Sequence, residues 1–322
     1  MTNMPLVFIA AALALCQGVE PARAQLARTF VSATVGSDAN DCNRLTPCRT
    51  FQHAHDTTLA NGEITVLDAG GYGAVTITKS VSIIDDGVGE AGVLVSGGGT
   101  GITVNAGADG RVSLRGLTLK GLGFGGGVGI VFNTGRSLTI ENCAIRNFDG
   151  AFPLGSGVLF NPTGSSSLSV TNTIVADNEF TGVRIQPVGL LLSTTAVFNR
   201  IEAYNNGASG VLVDGESSTG TINVTVAESV AAGNGTGFRA FSGSGQAGTT
   251  VTIIRSVAAS NSQGVRVGGA ANALLRLGQS TLSGNTVTWV MDGTAVLQSY
   301  GNNRIDGNAD GSPALPMLIA RK

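Results

Sequence analysis

One phrase recurs along this chain at a spacing that leaves little choice of architecture. Residues 229–234 read Ser-Val-Ala-Ala-Gly-Asn and are followed by Gly237-Phe238; residues 256–261 read Ser-Val-Ala-Ala-Ser-Asn and are followed by Gly264-Val265. Looser copies lie on both sides. The closing Asn recurs as Asn178, Asn205, Asn234, Asn261, Asn285 and Asn308, and the Gly opening the next apolar run as Gly129, Gly157, Gly182, Gly210, Gly237 and Gly264. Both keep intervals of 23 to 29 residues. A unit of that size is one supersecondary element that buries its apolar face only by stacking on copies of itself.

The runs between these markers decide what is stacked. Val81-Ser82-Ile83-Ile84, Val93-Leu94-Val95, Ile102-Thr103-Val104 and Val112-Ser113-Leu114 are short and rich in β-branched residues, and Gly, Ser, Asn and Asp separate them. Alternation of this kind predicts strands. No interval between strands has room for a helix, which excludes alternating β/α units. Two or three short strands per repeat predict an all-β chain wound as a single right-handed parallel β-helix, each turn hydrogen-bonded to the next. The repeated Asn are then inward or turn residues stacked coil on coil. Bonded to one another they avoid the ~1–3 kcal/mol that an unpaired buried polar group costs. The repeated Gly are expected in tight turns with positive φ.

At the N-terminal end the pattern changes. Residues 29–35 alternate like a strand, and Thr50 is placed to cap a helix carrying Phe51, Ala54 and Leu59 on one face, ended by Asn61-Gly62. A helix at this position would cover the open edge of a stacked sheet. His53 and His55 lie on it two residues apart and do not share a face; no shared metal site is expected, and exposure is the default for both. The expected division is a signal peptide over 1–24, an N-terminal cap with a cysteine loop over 25–62, β-helix coils over 63–295, and a last coil with a C-terminal cap over 296–322.

The opening residues also carry a resemblance. Phe30-Val31-Ser32, Gly36-Ser37-Asp38-Ala39-Asn40-Asp41, Pro47-Cys48-Arg49-Thr50-Phe51-Gln52-His53-Ala54, Ile64-Thr65-Val66-Leu67 and Gly70-Gly71-Tyr72 resemble the start of right-handed parallel β-helix proteins of the pectate-lyase-like superfamily. With the repeats, the similarity covers nearly all of the chain after the leader. It implies the fold and leaves the activity open, because that superfamily holds lyases, hydrolases, epimerases and non-enzymatic surface proteins.

Export is expected from the first residues. Leu6 to Cys16 form an apolar run, and Ala22-Arg23-Ala24 supply small residues before a cut ahead of Gln25. The run is shorter than the ~20 residues that span a bilayer, and no later segment reads as a transmembrane helix. The mature protein is therefore expected in a periplasm, at a cell surface or in the medium. An oxidising compartment favours a Cys42–Cys48 disulfide. A metal reading of that loop would need more ligands than His53 and His55 offer. Cys143 reads as a small buried hydrophobe.

The net charge is −2 and no block of Lys and Arg occurs, so nucleic-acid binding lacks its electrostatic basis. What the resemblance implies for catalysis can be checked against the residues. The superfamily's glycoside hydrolases resemble one another in an Asn-Thr-Asp triplet, an Asp-Asp pair, a Gly-His-Gly and an Arg-x-Lys, with paired carboxylates doing the chemistry. This sequence has a single Asp-Asp, Asp85-Asp86, at a turn before Gly87; it has no Asn-Thr-Asp, no Gly-His-Gly and no His after residue 55. Its pectate lyases use calcium held by clustered carboxylates with an Arg or Lys as base. Calcium wants six to eight oxygens, and Asp177, Glu179, Glu202, Asp214, Glu216 and Glu228 are spread over different coil positions.

One outward feature remains. Gly182-Val183-Arg184, Gly237-Phe238-Arg239 and Gly264-Val265-Arg266 set three arginines at the same coil position, with Leu212 between the first two and Asp214 beyond it. With the apolar residue inward, each Arg points out on one sheet. Arg184, Asp214, Arg239 and Arg266 are thus the candidate ligand-binding residues, facing a polysaccharide or cell-surface component. The plainer account is a solvated face whose ion pairs are each worth little. The favoured function is a non-catalytic, glycan-binding or surface-interaction scaffold without cofactor. The alternative is a polysaccharide lyase acting on acidic glycans, and calcium belongs only to that alternative.

Overall fold

The computed structural model describes residues 26–122, 127–150 and 154–320. The leader expected over 1–24 lies outside them. The chain is a right-handed parallel β-solenoid of about eight turns. Every strand pair is parallel, and the described strands form three sheets running the length of the molecule. The first sheet begins with Leu26–Val31 and ends with Val296–Ser299; the second runs from Val75–Ile77 to Val287–Met291; the third from Gly70–Gly71 to Arg304–Asp306.

Inward residues stack in columns. In the first sheet Leu114, Ile140, Val170, Phe198, Val226, Ile253 and Leu277 lie in register. In the second, Phe132 stacks on Phe160 with ring centroids 4.5 Å apart. The third is lined by small residues where Ala203, Ala231 and Ala258 align. All these side chains are buried, and each Leu, Ile, Val or Phe contributes about 1.5–3 kcal/mol.

The recurring phrase is the third-sheet strand with its two corners. Glu228 (φ 51°) turns the chain, Ser229 is buried, Val230–Ala232 forms the strand, Gly233 (φ 70°) turns again, and Asn234 is buried. A left-handed residue at each corner is what lets so short a strand end abruptly, and Gly and Asn adopt that conformation most cheaply. Behind the first corner runs a hydroxyl ladder: the backbone N–H of Ile201 donates to Ser229 Oγ, that of Ser229 to Ser256 Oγ, and that of Ser256 to Ser280 Oγ, each at 3.2 Å. Cys143 stands in the same ladder, buried, its thiol raised to about 11 chiefly by desolvation.

Behind the second corner runs the asparagine ladder, and it departs from the expected set at one position. Its members are Asn178, Asn206, Asn234, Asn261, Asn285 and Asn308. Each Nδ2 donates to the next Oδ1 at 2.8–3.0 Å. From Asn206 onward, Nδ2 also donates to a backbone carbonyl of the preceding coil. Asn205 is instead the left-handed corner residue (φ 52°), exposed, donating to Asp177 Oδ1 at 3.2 Å. Two adjacent asparagines occupy corner and ladder, and only the second faces inward.

The recurring glycines are also corrected. None of Gly129, Gly157, Gly182, Gly210, Gly237 or Gly264 has positive φ. They lie in or beside second-sheet strands, where a Cβ would fall 2.4–2.8 Å from a carbonyl oxygen of the following coil. From Gly157 to Gly264 it would also meet a ladder amide nitrogen at 3.0–3.1 Å. Lack of space, not turn geometry, requires glycine there.

At the N-terminal end, helix α1 (Phe51–Thr57) has Thr50 as N-cap, its hydroxyl accepting from the His53 N–H. It ends earlier than expected, at Thr58, whose backbone and side chain both bond Ala54 O. Asn61-Gly62 lies inside the strand Thr58–Val66, which pairs with Leu26–Val31. His55 is buried rather than exposed: its Nε2 accepts from the Thr78 N–H at 3.2 Å and its Nδ1 bonds Asp56 at 3.0 Å. Cys42 and Cys48 are joined by a disulfide, as expected.

Candidate functional site

The second sheet brings the predicted residues together. Register places Leu159, Arg184, Leu212, Arg239, Arg266 and Val290 in one outward column. Asp214, Phe241 and Gly268 form the neighbouring column. The alternation of each strand, with Val183, Phe238 and Val265 buried, turns the arginines outward.

The three arginines then meet different surroundings. Arg184 is buried, at 5% exposure, contrary to the solvated face the plainer account assumed; Leu159 and Leu212, also buried, flank it in the column. Its Nη2 lies 2.7 Å from Asp214 Oδ2, with 5% and 11% of the two side chains exposed. Gln186 Nε2 donates to the same carboxylate at 3.3 Å, and the Glu216 N–H donates to its other oxygen at 3.1 Å. Arg266 holds Asp292 Oδ2 through Nε and Nη2, each at 2.7 Å, in a half-exposed pair.

Arg239 stands between these pairs. Among the described residues it has no ion-pair partner, and its guanidinium lies 5.7 Å from the ring centroid of half-buried Phe241. Burial pulls its pKa below the usual arginine value, and the charge of Arg266 adds to this; Asp214 and Asp292 act in the opposite direction. A guanidinium at neutral pH keeps its proton. The group is therefore a fork of donors beside an aromatic face, suited to a planar anion such as a carboxylate. Phe241 escaped the sequence reading, although its place two residues after Arg239 on a strand was the available signal.

Carboxylates do not gather around this row in a way that fits calcium. Asp214 and Asp292 are each engaged by an arginine. Asp149, Asp177 and Glu179 line a separate open cleft of about 730 Å³ at the asparagine corner, where Asp177 accepts from Asn205 and Glu179 from the Gly150 N–H. Among the described residues, the only group of three candidate ligands with atoms within 4.8 Å of one another is Cys42, Cys48 and His53. Its two thiols are already bonded to each other.

Comparison with known proteins follows this geometry. No curated protein matches the chain. Among solved structures, the crystal structure of pectate lyase Pel9A is similar, with TM-score 0.56 and 18% identity, over 89% of this chain and 81% of that one. At that identity the likeness concerns the fold. The family described as "Right handed beta helix region" matches residues 62–276, which span the stacked coils from the end of the cysteine-loop region to the strand Ala273–Gly278. With the three parallel sheets and both corner ladders, this match means that the chain belongs to the right-handed β-helix family.

Proposed function

We propose that this protein is an exported, non-catalytic scaffold whose second sheet takes an acidic polysaccharide or another carboxylated component of a cell surface. The observation that carries the reading is Arg239: a half-buried guanidinium without an ionic partner among the described residues, over Phe241, between two arginines already neutralised by Asp214 and Asp292. A uronate carboxylate would meet the guanidinium, and the sugar face the ring. The reading uses no cofactor. The disulfide and the expected leader support export, since such bonds persist in oxidising compartments. The same reading takes α1 as a lid over the N-terminal edge of the solenoid and residues 296–322 as the last coil and cap at the other end.

A polysaccharide lyase acting on the same ligands is the competing reading. It would need a cation to offset the uronate charge, and the carboxylates near the row do not converge. Titration calorimetry with polyuronate oligosaccharides tests both. We expect saturable binding that weakens with salt, falls by about tenfold or more in Arg239→Ala, and is indifferent to chelator. Binding unchanged in Arg239→Ala would remove the site. Release of an unsaturated uronide on adding calcium would replace the scaffold reading with the lyase.

A further inference from the structure

A second group of donors lies far from the row, at the corner where the first sheet passes into the third. Arg255, Gln279 and Asn302 follow one another there on successive coils, just before the ladder residues Ser256, Ser280 and Asn303. One strand position further, Thr281 and Arg304 are in register. These five side chains line an open pocket of about 410 Å³.

Nearly everything in the pocket donates. Arg255 spends one Nη2 contact on Glu228, in the preceding coil, at 3.1 Å; its remaining N–H groups are uncommitted among the described residues. Arg304 is exposed and has no ion-pair partner among them. Asn302 Oδ1 accepts from the Gln279 N–H at 3.0 Å, and its Nδ2 is a further donor of the lining. Gln279 and Thr281 add an amide and a hydroxyl. Glu228 belongs to the coil before Arg255, and Asp306, two residues after Arg304 on the same strand, accepts from the Gly307 N–H at 2.8 Å. The lining therefore carries two arginines, one of them paired with Glu228 outside the pocket, and no carboxylate.

Geometry selects the ligand. Arg255 and Arg304 belong to coils two steps apart, which separates their backbones by at least ~9.6 Å. Gln279 and Thr281 lie on the coil between the two arginines, so donors from three successive coils border the pocket. A planar carboxylate offers both its oxygens in one direction, whereas a tetrahedral oxyanion offers acceptors to both arginines and to the floor at once. We propose that this corner binds a tetrahedral oxyanion, either inorganic sulfate or phosphate or the same group carried as an ester on a glycan. The site is independent of the Arg239 reading.

Calorimetry with sodium sulfate and sodium phosphate, at ionic strength held constant with chloride, tests the proposal. Expected are saturable binding, a loss of about tenfold or more in each of Arg304→Gln and Arg255→Gln, and no change in Arg239→Ala. Thermal melting of Arg304→Gln, an exposed position, verifies that the fold survives. A sulfated oligosaccharide that binds more tightly than its desulfated form and than free sulfate identifies an ester-borne ligand; equal affinity for free sulfate identifies the free anion. The proposal is overturned by absence of saturable binding to either inorganic anion, or by binding that both arginine variants leave intact.

Discussion

Arg184 and Arg239 stand in one column two coils apart, and desolvation separates their roles. Arg184 is enclosed with Asp214, so replacing that carboxylate leaves a buried charge uncompensated. Asp214→Asn should cost about 3–5 kcal/mol, whereas Asp292→Asn, in the half-exposed pair with Arg266, should cost about 1 kcal/mol or less. Urea unfolding of the two variants measures this, and equal losses would refute the desolvation account. His55 supplies a pH dependence. Burial lowers its pKa, with Lys79 acting in the same direction and Asp56 against it, and Nε2 must stay unprotonated to accept from Thr78. A group with a depressed folded pKa favours the fold fully above its unfolded value, here the ordinary 6.5, and that contribution is lost as pH falls through the folded value. Melting temperature should thus drop as pH falls below about 6.5, and His55→Gln should flatten that part of the curve. An unchanged slope would show that His55 does not titrate with folding.

At the scale of the element, the ladder explains why two adjacent residues of one type behave differently. Asn234→Ala strips an acceptor from both the backbone N–H and the Nδ2 of Asn206, a loss of about 1–3 kcal/mol per buried group. Asn205→Gly keeps a residue suited to φ 52° and should fall within about 0.5 kcal/mol of the parent. Denaturant midpoints decide, and a costly Asn205→Gly would return that residue to the ladder. Gly237→Ala places a Cβ 2.5 Å from Gly264 O, while Gly164→Ala meets nothing within 4 Å; only the first should destabilise. The repeat was legible in the sequence because ladder and corner residues must recur once per turn. Which of Asn205 and Asn206 faces inward was nearly legible too: taking Asn206 makes the intervals 28, 28, 27, 24 and 23, a smoother run. The crowding at the glycines was not, since it depends on the carbonyl of a different coil.

Over the whole molecule, each turn touches little beyond its neighbours, and stability is a sum of local interfaces. Reducing Cys42–Cys48 should therefore loosen the N-terminal end by about 2 kcal/mol and leave distant coils intact. Hydrogen exchange under reducing conditions checks this: protection should fall across residues 26–66 and persist from 181 onward, and a uniform loss would mean that the solenoid unfolds as one unit. The sequence alone determined the winding, because strand alternation, corner residues and ladder amides are local demands met by residue type at each position. It also placed Arg184, Arg239 and Arg266 in one column, since register in a solenoid follows from the repeat. The tertiary structure alone decided which of those charges is enclosed, which is paired and which is left over Phe241. It likewise brought Arg255 and Arg304 around one pocket. Burial and charge pairing depend on what neighbouring coils lay against a side chain, and no single repeat contains that information.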